Sequence, residues 1–135
     1  MSYKRYEQTV IAVIGICLAV FLMRWIWQAV DYERFANRIA NADRVVVSDG
    51  RDSITITGKK VGEIALTIAS ASRDSGHYKA KFSFMTSFYR STNSLGEVDI
   101  CNDLFMANGH QYRATEGALK TLVVEPFVNK IDKTE

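Results

Sequence analysis

"LFMANGHQYR", residues 104–113, carries the most specific local signal in the chain. Asn108-Gly109 stands between two apolar-rich arms, and these two residue types accept the positive φ that both central positions of a type I′ turn demand. The spacing predicts a two-residue hairpin with Ala107 opposite His110, Met106 opposite Gln111 and Phe105 opposite Tyr112. The domain around it is therefore expected to be built on antiparallel strands.

Working upstream, residues 95–101 alternate, with Val98 and Ile100 on one side and Glu97 and Asp99 on the other. "STNS" (91–94) supplies a turn, and before it residues 78–90 form the clearest strand pattern in the chain. Tyr78, Ala80, Phe82, Phe84 and Phe88 share one parity, and Lys79, Lys81, Ser83 and Ser87 the other. "RDSGH" (73–77) reads as a turn. Residues 61–72 fit two patterns: Val61, Ile64, Ala65 and Ile68 make a helical stripe, while Ile64, Leu66 and Ile68 alternate as a strand would. The enrichment in alanine (Ala65, Ala69, Ala71) favours helix. "RVVVS" (44–48) and "SITIT" (53–57) are β-branched runs separated by Asp49-Gly50-Arg51-Asp52, a second hairpin. Downstream of the opening stretch, Thr115 is placed to cap a short helix with Leu119, Leu122 and Val123 on one face, ending before Pro126. The expected order is β-β-α-β-β-β-β-α, an α+β domain with one or two helices packed on a small, mainly antiparallel sheet.

The N-terminal third is different in kind. Residues 10–23 hold no charged side chain. A bilayer core of about 30 Å needs about 20 helical residues, and residues 9–30 supply that length with one internal charge, Arg24. A long arginine side chain near a helix end reaches the headgroups while Trp favours the same layer, so Arg24, Trp25 and Trp27 read together as a membrane-interface belt. Gln28 and Asp31, at i+4 and i+7 from Arg24, continue a polar stripe that could touch a partner's helix. A cleaved signal would need a small-x-small site soon after the apolar run, and the first Ala-x-Ala, "ANA" at 40–42, lies too far downstream. Residues 31–42, "DYERFANRIANA", keep the helix going as an amphipathic segment with Phe35, Ile39 and Ala42 on one face.

These readings divide the chain into a short cytoplasmic N-terminus (1–8), a transmembrane helix (9–30), a juxtamembrane helix (31–43), the α+β domain (44–127) and a polar tail (128–135) that frays. The basic residues flanking the span, Lys4 and Arg5 before it and Arg34 and Arg38 after it, nearly balance. The short polar N-terminus favours N-in with the domain extracytoplasmic, in a bacterium the plan of a single-pass inner-membrane protein with a periplasmic domain.

Charge and side-chain chemistry exclude several functions. Lys4, Arg5 and Arg24 against Glu7 account for the whole formal charge of +2, leaving 14 basic and 14 acidic side chains in residues 31–135. A neutral domain lacks the basic excess that displaces counterions from nucleic acid. "KAKFSFMTSFY" interleaves aromatics as an RNA-binding strand does, but Phe82, Phe84 and Phe88 share the core parity. Cys17 and Cys101 fall in different solvents and imply no disulfide. His77 and His110 stand far apart beside turns, without the close companions a zinc site needs. A nucleophile pairing of Cys101 with His110, oriented by Asp99 or Asp103, is the one catalytic arrangement worth testing, as a small hydrolase. No phosphate-binding loop or hydrolase elbow occurs, and no cofactor or small-molecule substrate is implied.

The plan of a long N-terminal helix, apolar and then amphipathic, leading into an antiparallel sheet resembles that of type IV pilins and secretion pseudopilins. Members of those families share a Gly-ending leader followed by Phe and a Glu within the apolar run. Here "YKRYEQTV" has no Gly and Glu7 precedes the run, so no residue role is carried over. The function expected from the residues is a membrane-anchored envelope accessory or assembly component that engages membrane lipid and another envelope protein, with a pseudopilin-like structural subunit as the alternative.

Overall fold

In a computed structural model, residues 2–74 and 83–134 are described, without side chains for 132–134. The chain divides into two units, Met1–Tyr32 and Glu33–Glu135. Helix α1, Ser2–Ile39, runs without a break through the boundary between them. Residues 2–27 are exposed among the described residues, whereas Phe35, Ala36 and Ile39 are buried in the second unit. The amphipathic face expected at Phe35 and Ile39 is therefore a core face, and Ala36 joins it. Ala42 is half-buried just past the helix.

The second unit is an α+β domain around an antiparallel sheet, with seven strands among the described residues: β1 Arg44–Ser48, β2 Ser53–Thr57, β3 Ser72–Arg73, β4 Phe84–Arg90, β5 Asn93–Cys101, β6 Leu104–Ala107 and β7 His110–Arg113. They lie in the order β2-β1-β4-β5-β6-β7-β3. Helix α2, Lys59–Ala69, buries Val61, Ile64, Ala65 and Ile68, the stripe that competed with a strand reading in the sequence. The helical period prevails because all four of those side chains reach the core while Leu66, which the strand pattern needed inside, is 70% exposed.

The opening hairpin has the predicted register: Ala107 faces His110, Met106 faces Gln111 and Phe105 faces Tyr112. Asn108 and Gly109 take φ of 51° and 77°, the left-handed pair of a type I′ turn. Across the sheet, one parity forms the core: Val45, Val47, Ile54 and Ile56, then Thr86 and Phe88, then Val98, Ile100, Phe105 and Tyr112. Phe105 stacks on Tyr112 with ring centroids 5.5 Å apart, and Phe84 meets Phe127 edge-on at 5.2 Å. Burial of the Tyr112 phenol raises its pKa, an effect that the nearby Arg73 partly offsets.

Between β4 and β5 the ladder slips by one residue at Phe88/Tyr89. Beside the slip, Gly96 (φ 154°) lies under the Phe35 ring so closely that a Cβ would come within 2.6 Å of its Cε2. The bulge and the missing side chain together leave the slot that seats α1's last core residues. Burying Phe35 and Ile39 in this way stabilises the domain by about 1.5–3 kcal/mol each.

Three expectations are corrected. Ser72–Arg73 is a short strand on the far side of β7, where a turn was expected to begin. The C-terminal helix does not stop before Pro126: a π-helical turn, Lys120–Val124, leads into helix α3, Glu125–Thr134. The Glu125 N–H reaches back to the Lys120 carbonyl, and this wider turn makes room for the proline ring, which has no N–H to give to an ordinary helix. The tail expected to fray is that helix, held by Phe127, which is 4% exposed. The stretch from Tyr78 to Phe82 in the expected strand, and His77, lie outside the described residues.

Candidate functional site

Two surfaces carry chemistry, the apolar part of α1 and the exposed parts of the domain. Among the described residues one helix, Ser2–Ile39, is long and apolar enough to cross a membrane: an 18-residue window reaches a mean hydropathy of 2.4 with none of it buried. A core helix of similar composition would be covered by its own protein, so the exposure of Ile11, Leu18 and Phe21, between 57% and 69%, is the informative fact. Trp25 and Trp27 are 64% and 58% exposed beside an exposed Arg24. Because helix α1 is continuous from Arg24 to Asp31, Arg24, Gln28 and Asp31 fall along one stripe; Asp31 is exposed and Gln28 is half-buried.

The structure separates the proposed nucleophile from its base. Cys101 pairs with Leu104, and its neighbour Ile100 pairs with Phe105 on the core side, so Cys101 belongs to the outer parity. His110 pairs with Ala107, which shares the core parity of Phe105. The two side chains thus leave the sheet on opposite faces, and a Cys101–His110 dyad does not form. The imidazole is engaged elsewhere: Arg73 Nη2 lies 3.2 Å from His110 Nδ1, within hydrogen-bond distance. Asp103 is also occupied. Its Oδ1 accepts the Gly117 N–H at 2.8 Å and its carbonyl accepts the Ala114 N–H at 2.9 Å, tying the end of the hairpin to the start of the C-terminal segment. Asp99 stands on the outer parity between Met85 and Met106.

Among the described residues no cluster of three or more His, Cys, Asp or Glu side chains could hold a metal ion. An open cleft of about 390 Å³ lies between the start of α2 and the C-terminal helix, lined by Lys60, Thr121, Glu125, Pro126, Asn129 and Lys130. Sequence reasoning missed it because its residues come from segments some sixty positions apart, one of them read as a fraying tail. Its mixed charge suits water and ions in general and selects no particular ligand.

Polar order concentrates at the turns. Asp49 Oδ1 accepts the N–H groups of Arg51 and Asp52 at 2.9 and 2.8 Å, and these bonds hold its carboxyl below the usual range. Asp43 Oδ2 accepts the Ser91 N–H at 3.0 Å, and the Arg44 guanidinium lies 4.8 Å from the centre of the Tyr89 ring while its Nη2 donates to the Ser91 carbonyl. Arg113 and Asp74 form an ion pair at 3.1 Å. Such exposed pairs organise the surface and add little to stability. Comparison with known protein families, curated proteins and solved structures finds no match to this chain.

Proposed function

We propose that this chain is a single-pass membrane protein, N-terminus in the cytoplasm, whose second unit lies outside the inner membrane of a bacterium and binds another envelope protein. The observation that carries the reading is the first part of α1: a helical surface of exposed Ile, Leu, Val and Phe, ending at Arg24, Trp25 and Trp27, continuous with a folded domain. Membrane lipid is the partner such a surface fits best, and the aromatic–arginine belt marks its exit. The domain's balanced charge and the absence of an assembled nucleophile–base pair at Cys101 favour binding over catalysis at that position.

Protease added to spheroplasts tests the orientation. A C-terminally tagged full-length chain should lose its tag without lysis, and protection until lysis would reverse the orientation. A structural-subunit reading on the pseudopilin plan draws on the same long helix and antiparallel sheet. It requires N-terminal processing, and an intact mass equal to that of the full chain would remove it.

A further inference from the structure

The two edges of the sheet are built differently. At one, β3 has two described residues and carries Arg73. At the other, β2 has five residues, "SITIT", with no charge, no proline and an unbroken register against β1. Natural edge strands are usually blunted by a charge, a proline, a bulge or shortness, because an open edge templates further pairing. None of these devices protects β2.

Its unpaired groups can be assigned. Asp49 donates to the Asp52 carbonyl at 3.2 Å, so the alternation of an antiparallel ladder makes Val47–Ile54 and Val45–Ile56 the hydrogen-bonded pairs. The N–H and C=O of Ser53, Thr55 and Thr57 then point away from β1, and no described residue bonds to them. We propose that this edge pairs with the same edge of a second copy of the chain, antiparallel about a two-fold axis at Thr55.

Two features support a second copy as the occupant. Ser53, Thr55 and Thr57 are centred on Thr55, so Thr55 meets its own symmetry mate and Ser53 meets Thr57, with all outward groups satisfied by about six hydrogen bonds. Ile54 and Ile56, 4% and 7% exposed, then lie opposite one another and extend the apolar layer across the junction. The inference does not depend on the membrane reading, since it uses only the second unit.

Engineered disulfides in the full-length chain, with Cys17→Ser and Cys101→Ser as background, read the register. Facing Thr55 residues would have Cα atoms about 5.5 Å apart, within the range a disulfide spans. Thr55→Cys should therefore give an oxidised dimer. Thr57→Cys alone should not, because the two copies of that residue are more than about 13 Å apart, while Ser53→Cys with Thr57→Cys should. Detergent-purified wild type should be dimeric by light scattering. Thr55→Lys, which sets like charges face to face at an exposed position, should be monomeric with a circular dichroism spectrum like that of the wild type. A monomeric wild type, including one that crosslinks through position 55 only to a different protein in membranes, overturns the proposal. So does equal crosslinking at positions 55 and 57.

Discussion

Gly96 shows how one absent side chain seats a helix. A Cβ there would sit 2.6 Å from the Phe35 ring, and the backbone holds φ at 154°. Gly96→Ala should destabilise the domain by about 1–3 kcal/mol, the usual cost of overpacking. Urea unfolding of the detergent-solubilised chain measures it, and Phe35→Leu in the same chain should recover part of the loss, as expected for two residues that share one slot. Thr86 predicts the opposite sign. It is fully buried between Val47 and Val98, and its hydroxyl has no hydrogen-bond partner among the described residues. Thr86→Val keeps the shape and removes an unsatisfied group, so it should stabilise by about 1 kcal/mol in the same assay. Asp49 adds a pH dependence. Its folded pKa lies below the ordinary 3.8, so the turn's contribution is complete above that value and is lost as pH falls through the lower folded value. The stability gap between wild type and Asp49→Asn should be constant above about pH 5 and close on acidification.

Helices and strands were legible in the sequence wherever period and turn chemistry agreed. The Asn108-Gly109 hairpin, the alternation of Val98 and Ile100 and the stripe of α2 all follow from local rules that the packed core reinforces. Elements that depend on distant partners were not. β3 exists because Ser72 and Arg73 meet Arg113 and Tyr112, forty residues away in sequence, and α3 passes Pro126 because the π turn before it absorbs the ring. Candidate chemistry fared likewise: residue types nominated Cys101 and His110, and only the register could show that they point apart. At this scale, Arg24 is the informative probe of α1. If it marks the headgroup layer, Arg24→Leu leaves insertion intact, because the span only becomes more apolar. An unchanged yield of a crosslinked partner would remove a helix-contact role for the stripe Arg24, Gln28 and Asp31, and its loss would establish one.

In the whole molecule, one uninterrupted α1 is apolar and exposed over its first part and roots Phe35 and Ile39 in the α+β domain's core at its end. The exposed surface of Val10, Ile14 and Leu22 has no cover within the described protein and would be costly in water. The helix is long and apolar enough to cross a membrane, and everything proposed about where the domain works starts from that. Alkaline carbonate extraction of membranes carrying the full-length chain tests this most directly: a spanning helix keeps the intact chain in the membrane pellet after the wash, whereas release of the full-length protein into the supernatant would contradict the anchor.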